Sequence, residues 1–298
     1  MDGVQSLQTA DAPFKQTAAR LVIDRRAAFV GCAAMMAWPA NAAPAGSDSS
    51  LTLADGRLVP LRVWQPTGEP RSLIGFSHGA NSRPDKYDRL FEELAAAGHR
   101  VVAPLHADSP DHPGGGKIPR EQGIPMRLAD MRGLIAQAVA AKLPVIAAGH
   151  SYGALIAQML GGAGGAADDA VKAVIAWSPP GPFPPAITAD TWKTMARPQL
   201  VVTGTADTLP MMAPTWDVHR VSHDVAPGPG VLFVGAGVDH YFGNIICRPE
   251  RSEPAQEAQF ADALAVTLGF ADAVLAGRGF ASLARPPQPG ASWVEIKV

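Results

Sequence analysis

Two segments of the sequence place a serine between two glycines in the pattern G-x-S-x-G: residues 75–79 around Ser77, and residues 149–153 around Ser151. Glycines at these positions permit a tight, strained turn and a close approach of neighbouring backbone. A turn of this kind between a strand and a helix lifts the serine hydroxyl clear of a sheet and directs the helix N-terminus towards the bond under attack. The pattern therefore predicts a nucleophilic serine.

The surrounding sequence favours Ser151 over Ser77. Residues 144–148 are apolar and follow a proline boundary, which predicts a buried strand, and residues 153–160 suit a helix packed on a sheet. Ser77 also follows an apolar run, but a loop with asparagine and proline comes next. With 30 glycines in the chain a chance match is not rare. We predict Ser151 as the nucleophile and interpret the match at Ser77 as chance.

A serine needs a histidine to take its proton and a carboxylate to orient that histidine. Asp207 and His240 follow two predicted strands further along the chain and suit these two roles. Taken alone, Asp207 could equally be a turn residue. Asp239 is interpreted as a loop residue.

His219 and His223 compete with His240 for the role of base. Their four-residue spacing could also place both imidazoles on one helical face for a metal ion. No glutamate accompanies them as in zinc peptidases and no third ligand is evident, so we predict no metal site and no cofactor.

A tetrahedral intermediate requires two hydrogen-bond donors for its oxyanion. We predict the amide of Tyr152, which directly follows the nucleophile, and the amide of Ala80, where Gly79 lets the backbone approach closely.

Aromatic residues near the strand ends could wall an apolar pocket, although such residues are most often part of a core. The candidate substrate-binding residues are Gly79, Trp177, Phe183 and Tyr241, with Phe242 beside them. Only a short segment, 182–197, separates two predicted strands here. A large lid is therefore not expected, which favours small, soluble substrates.

An N-terminal hairpin followed by alternating strands and helices predicts a three-layer α/β sandwich with a mostly parallel sheet. In such a sheet ligands bind beyond the carboxyl ends of the strands, where all the candidate residues lie. The predicted strands are 51–53, 58–63, 72–76, 100–105, 144–148, 171–177, 198–204 and 231–234, and the predicted helices are 85–97, 125–142, 153–160 and 255–276.

The N-terminus has the parts of an export signal. Arg25 and Arg26 precede an uncharged run over 27–38, and residues 40–42 offer an A-x-A cleavage site. The run is too short to span a bilayer. We predict that residues 1–42 are removed and that the protein is exported, periplasmic or secreted. The long segment before the run indicates either a start assigned too early or a twin-arginine signal.

A lipoprotein-like site at 29–32 is a minor alternative. The predicted mature chain has a linker at 43–50 and a single domain at 51–298, with Cys247 as its one cysteine and no intramolecular disulfide. We interpret Cys247 as a small buried apolar residue. With 17% charged residues and a net charge of −2, no nucleic-acid partner is expected, nor stable membrane insertion after signal removal.

The ordered motifs together resemble those of the α/β-hydrolase superfamily, and the resemblance covers residues 51–276. The motifs are His78-Gly79, Gly149-His150-Ser151-Tyr152-Gly153, Gly204-Thr205-Ala206-Asp207 and Asp239-His240. The resemblance implies the α/β-hydrolase fold and a serine hydrolase that cleaves a small-molecule ester through an acyl-enzyme. Amide or C–C bond hydrolysis on the same fold is the alternative, and an inactive binding protein is a weaker one because all three catalytic residue types are present.

A narrower resemblance is to bacterial esterases of the dienelactone-hydrolase-like and platelet-activating-factor-acetylhydrolase-like branches. It rests on Ser77-His78-Gly79, Tyr87, the segment 103–106 that ends in His106, and the pair Arg127 and Asp130. Dienelactone hydrolases have a cysteine where Ser151 stands. The resemblance therefore implies a serine esterase rather than that substrate.

Overall fold

The computed structural model describes residues 46–119, 122–210 and 212–298, and every structural statement below refers to these ranges. The predicted export signal, 1–42, lies outside the described residues. So do residues 43–45 of the predicted linker.

The described residues form a nine-stranded sheet in the order β1-β2-β4-β3-β5-β6-β7-β8-β9. The strands from β3 to β8 run parallel, β1 and β2 form an antiparallel hairpin at one edge, and β9 pairs antiparallel with β8 at the other. The bounds are β1 Ser47–Thr52, β2 Leu58–Trp64, β3 Ser72–Ser77, β4 His99–Pro104, β5 Val145–His150, β6 Val171–Trp177, β7 Gln199–Gly204, β8 Gly230–Gly235 and β9 Trp293–Lys297.

Helices cover both faces of the sheet, which confirms the predicted three-layer α/β-hydrolase architecture. Helices α1 and α5 pack on one face around a core of aromatic side chains, and α2 and α3 pack on the other. The bounds are α1 Asp88–Ala96, α2 Gly123–Ala140, α3 Tyr152–Leu160, α4 Val221–Val225 and α5 Glu257–Leu275. Short 3₁₀ turns include Pro84–Tyr87, Ala189–Thr194 and Trp216–Arg220.

Two edge strands differ from the sequence prediction. β1 begins at Ser47, inside the predicted linker 43–50, and β9 was not predicted at all. Edge strands face solvent along most of their length, so β1 is polar and buries little beyond Leu51. β9 is five residues long and has a single buried residue, Val294. Neither strand carries the apolar run that marks the central strands.

Helix α5 is long and apolar enough to cross a membrane by length and composition alone. Eight of its residues are buried, and they pack against the sheet with Phe260 and Phe270 in the aromatic core. The apolar character of α5 is therefore explained by its burial in the core.

Candidate active site

The predicted nucleophile Ser151 lies between the end of β5 and the start of α3. Its backbone is in the left-handed region, with φ 53° and ψ −121°, which a non-glycine residue rarely adopts. A Cβ on Gly149 would overlap the backbone of Gly153, and a Cβ on Gly153 would overlap the carbonyl group of Ser77. Both glycines of the pattern are therefore required by backbone contacts.

The Ser151 side chain is partly exposed at the carboxyl edge of the sheet. Its amide donates to the carbonyl of Trp177 (2.9 Å), which ties the turn to the next strand, β6. Within the described part of the chain its hydroxyl makes no hydrogen bond. The turn fixes the backbone that carries the hydroxyl, and the hydroxyl itself is accessible and not hydrogen-bonded to His240 in this structure.

The predicted acid and base are brought together. Nδ1 of His240 lies 2.7 Å from Oδ1 of Asp207, and the hydroxyl of Thr203 donates to Oδ2 (2.9 Å). A carboxylate only accepts, so Nδ1 carries the hydrogen and Nε2 remains to take a proton. The ring of His240 lies 4.8 Å from that of His150, the residue before Ser151.

Burial and hydrogen bonds shift the pKa values of this pair. Burial alone would raise the pKa of Asp207, but the hydrogen bonds from His219 and His240 hold it well below its ordinary value. Burial lowers the pKa of His240 to about 4, against the opposing effect of Asp207. At neutral pH the pair is therefore a carboxylate and a neutral imidazole, the protonation states of a general base.

His219, the rival of His240, contacts the same carboxylate. Its Nε2 lies 3.0 Å from Oδ1 of Asp207, and its Nδ1 lies 2.7 Å from the carbonyl of Pro179. Nδ1 is bonded to Pro179 and Nε2 lies against the Asp207 carboxylate without an aligned hydrogen bond, so both nitrogens of His219 lie next to protein acceptors. His223 contacts Asp224 instead, so the two histidines do not share a site.

The donor atoms of Asp207, His219 and His240 lie within 4.8 Å of one another, close enough to coordinate one metal ion. These are not the His219 and His223 pair that the spacing indicated. The hydrogen bond from His240 and the close contact of His219 with Asp207 account for the cluster as it stands.

The loop after β3 holds the other predicted oxyanion donor. The Gly79 amide donates to the hydroxyl of Tyr87 (2.9 Å), so it is already engaged. The Ala80 amide donates no hydrogen bond within the described ranges, and Ala80 is exposed. Tyr152 is the first residue of α3, directly after Ser151.

One chain of hydrogen bonds connects three loops of the site. The hydroxyl of Tyr87 accepts from the Gly79 amide (2.9 Å) and is hydrogen-bonded to Nδ1 of His150 (3.0 Å). Nε2–H of His150 donates in turn to the carbonyl of His240 (2.9 Å). Because that carbonyl can only accept, Nε2 of His150 carries a hydrogen. The chain therefore links the loops that carry Ala80, Ser151 and His240.

Ser77 belongs to a second serine–histidine–aspartate arrangement that is wholly buried. Its hydroxyl is 2.9 Å from Nε2 of His106, and Nδ1 of His106 is 2.8 Å from Oδ2 of Asp130. Arg57 bonds the other oxygen of Asp130. Arg127 donates to the carbonyl of His78 (2.5 Å). No substrate could reach Ser77, and the arrangement supports the loop that carries Ala80.

Sequence reasoning assigned no roles to Tyr87, His106, Arg127 and Asp130. All four residues belong to the motifs of the narrower esterase resemblance, and that resemblance was the one sequence feature that pointed to them. Each of the four is buried and hydrogen-bonded. A buried polar group needs a hydrogen-bond partner, but only the fold shows which residue that partner is, so the sequence could not reveal these roles.

A family model described as serine aminopeptidase, S33, matches residues 68–226, just over half of the chain. The chain belongs to this family. The matched region contains Ser151 and Asp207, and His240 lies beyond it.

Members of the curated protein set match a shorter part of the chain. Human monoglyceride lipase is 33% identical over 116 residues, 36% of this chain and 35% of the relative. A monkeypox virus protein named monoglyceride lipase homolog is 32% identical over 111 residues, 34% of this chain and 37% of the relative. The chain spans about a third of the length of the curated relatives it matches.

Solved structures show the same fold. A Klebsiella pneumoniae protein assigned as a dienelactone hydrolase aligns with a TM-score of 0.60 at 19% identity, over 76% of this chain and 98% of its own. A thermostable carboxyl esterase of Bacillus coagulans aligns with a TM-score of 0.60 at 13% identity, over 78% and 99%. These comparisons confirm that this family member has the α/β-hydrolase fold.

The predicted pocket residues fall into different environments. Trp177 is 1% exposed and packs on Phe242 and Phe260, so the prediction that it lines a pocket is corrected: a residue at the end of a central strand is covered by helix α5. Gly79 is buried, and its amide bonds Tyr87 rather than a substrate. Phe242 is likewise a core residue.

Phe183 and Tyr241 are partly exposed. Phe183 lies in the loop after β6, where its backbone pairs with Ile187. The ring of Tyr241 lies 5.0 Å from that of His240, in a perpendicular arrangement. These two remain predicted substrate contacts.

Cys247 is buried, as predicted, but it is not in an apolar environment. Burial would raise the pKa of its thiol, but hydrogen bonds with His150 and Tyr87 lower it to about 7. Nη1 of Arg248 lies 3.4 Å from its sulfur. The thiol therefore belongs to the polar network beneath the site.

We expect Tyr87→Phe to lower the free energy of unfolding by about 1–3 kcal/mol, because the Gly79 amide and Nδ1 of His150 would lose their shared partner while buried. Urea unfolding measures this loss. The matched control is Tyr241→Phe, whose hydroxyl makes no hydrogen bond in the described ranges. Equal unfolding free energies for the two variants would contradict the hydrogen-bond chain.

Proposed function

We propose that the protein is a serine hydrolase that cleaves carboxylic esters through an acyl-enzyme intermediate. The observation that carries the proposal is the 2.7 Å contact between His240 and Asp207 beside the strained Ser151 turn. In this proposal Ser151 is the nucleophile, His240 the general base and acid, and Asp207 the orienting carboxylate.

In the first half-reaction, Nε2 of His240 takes the proton of the Ser151 hydroxyl as its oxygen attacks the ester carbonyl. Negative charge develops on the carbonyl oxygen, and in this proposal the amides of Ala80 and Tyr152 donate to it. The intermediate then collapses, the bond to the alcohol breaks, and His240 returns the proton to the leaving alkoxide. An acyl group remains on Ser151.

In the second half-reaction, water takes the place of the alcohol. His240 removes a proton from the water as its oxygen attacks the acyl carbonyl, and the same two amides serve the second oxyanion. Collapse releases the carboxylic acid and returns the proton to Ser151. Asp207 keeps its charge throughout and stabilises the imidazolium that forms twice in each cycle.

Two observations favour esters over the aminoacyl amides that the family description names. An aminopeptidase must bind the α-ammonium group of its substrate with a carboxylate or similar acceptor. Asp207, the carboxylate in contact with His240, is also bonded by Thr203 and contacted by His219, and Oδ1 of Asp239 already accepts from the amides of Tyr241 and Gly243. The similarity to human monoglyceride lipase also supports an acyl ester as substrate.

The segment between β6 and β7 supports a preference for small, soluble esters. It spans residues 178–198 and contains one short 3₁₀ helix, Ala189–Thr194. Such a segment is too small to form a large lid of the kind that interfacial lipases carry. Export of the enzyme, which residues 1–42 predict, is part of the same proposal.

We expect Ser151→Ala to fold and to lose about 10³-fold or more of kcat on a nitrophenyl ester, since its removal deletes the nucleophile. Ser77→Ala is the matched control because both serines stand in the same G-x-S-x-G pattern. It should keep kcat within about tenfold while losing about 1–3 kcal/mol of stability through its buried partner His106.

The result against the proposal would be full turnover by Ser151→Ala together with inactive, folded Ser77→Ala. The same assay with a graded series of acyl chains and an aminoacyl anilide compares ester with amide cleavage. Faster cleavage of the anilide than of every ester would favour the aminopeptidase alternative.

The pH dependence of kcat/KM should place the acidic limb near pH 4. Activity requires neutral His240, and burial lowers the pKa of its imidazole from 6.5 to about 4, so the active form persists as pH falls from 7 to 5 and is lost below that value. Initial rates on an ester, with recovery at pH 7 as the check for unfolding, measure the limb. A limb at or above pH 6.5 would contradict this assignment.

A further inference from the structure

The Asp207 carboxylate is shared by two histidines. Nδ1 of His240 and Nε2 of His219 both contact the same oxygen, Oδ1, at 2.7 and 3.0 Å, and the two rings lie 5.6 Å apart. Both imidazoles and the carboxylate are buried. The reaction proposed above uses only one of these histidines.

The partners of His219 determine its protonation state. The carbonyl of Pro179 can only accept, so Nδ1 of His219 carries a hydrogen. Nε2 lies 3.0 Å from Oδ1 of ionised Asp207, which is an ion-pair distance without the alignment of a hydrogen bond. A bare nitrogen lone pair would be repelled by that oxygen, so the contact favours a hydrogen on Nε2 as well, and with it the imidazolium form of His219. Burial would lower the pKa of His219, but its contact with Asp207 raises that pKa above 6.5.

The fold holds His219 firmly in this place. His219 lies on the 3₁₀ helix Trp216–Arg220, and the loop after β6 packs directly on its neighbour. A Cβ on Gly181 would overlap Val218. This close approach keeps the carbonyl of Pro179 and the carboxylate of Asp207 at the two ends of one imidazole.

We propose that His219 is a positioning residue of this site, an imidazolium that fixes the Asp207 carboxylate and offsets part of its charge, so that His240 stays neutral in acid. The inference rests on the proposed function. His219 does not touch the reacting atoms. It acts through Asp207, because a carboxylate that already balances one cation attracts a proton to His240 less strongly.

Several other titratable groups face this pair and enter any pH profile. His150, at the end of β5, lies next to the ring of His240 and is bonded to Tyr87. The thiol of Cys247 has a pKa of about 7 and contacts His150. The ring of Tyr241, the next residue in the chain, packs perpendicular to the ring of His240. A Cys247→Ser variant separates the titration of the thiol from that of the histidines.

The test compares His219→Gln with His223→Gln. Glutamine keeps a donor for Asp207 and removes the positive charge, while His223 lies four residues later on the same segment and contacts Asp224 instead. We expect the acidic limb of kcat/KM to move up by about one pH unit or more in His219→Gln and to stay in place in His223→Gln. The same comparison in the Cys247→Ser background should give the same shift.

A merely structural role for His219 would lower kcat at every pH and leave the acidic limb where it is. That result would overturn the inference. Movement of the limb to lower pH would overturn it as well, because loss of a neighbouring cation can only make His240 easier to protonate.

A titration that needs no activity separates this inference from the proposed function. In Ser151→Ala protein, NMR signals assigned to the two imidazoles should show His219 titrating above pH 6.5 and His240 titrating below it. A neutral His219 across pH 5 to 8 would overturn the inference even if the protein is an esterase. If His219 and His240 titrate in the expected order but the wild-type protein cleaves no ester, the inference about the paired histidines stands and the proposed function is rejected.

Discussion

The contact between the two G-x-S-x-G segments is the constraint on which the site depends. The start of α3 lies directly on the end of β3, and only glycine at position 153 leaves room for the carbonyls of Ser77 and His78. This backbone contact sets the position of Ser151 relative to the loop that carries Ala80. The G-x-S-x-G match around Ser77, which the sequence analysis interpreted as chance, therefore has a structural role: the end of β3 forms the other half of this contact.

Polar groups buried beneath this contact hold the loops in one arrangement. The relay from Ser77 through His106 to Asp130 supports one side, and the chain from Tyr87 through His150 supports the other. Fully bonded networks of this kind rigidify a structure, since any loosening would leave a buried group without a partner. Serine, histidine and aspartate thus occur in two arrangements in one fold. The buried arrangement at Ser77 holds the loop in place, and the arrangement at the accessible Ser151 supplies the proposed chemistry.

The sequence predicted the central part of the fold well because buried parallel strands are continuous apolar runs. Strand β6 and helix α3 are found where the pattern placed them, while β1 and β9 escaped because edge strands need no such run. The order of Ser151, Asp207 and His240 followed from strand ends meeting at one edge of the sheet. The second imidazole on Asp207 could not be predicted, since the loop that brings His219 there has no periodic signal. Trp177 was misjudged because a strand end gives no sign of the helix that covers it.

Covalent labelling with a fluorophosphonate tests the central claim most directly, because the reagent is attacked only by a serine that is both activated and accessible. Intact mass and peptide mapping of the labelled protein identify the modified residue. The account predicts one adduct per chain, on Ser151, with Ser77 unmodified and the adduct lost in His240→Ala. An adduct on Ser77, or a folded and ester-cleaving protein with Ser151 unmodified, would contradict it.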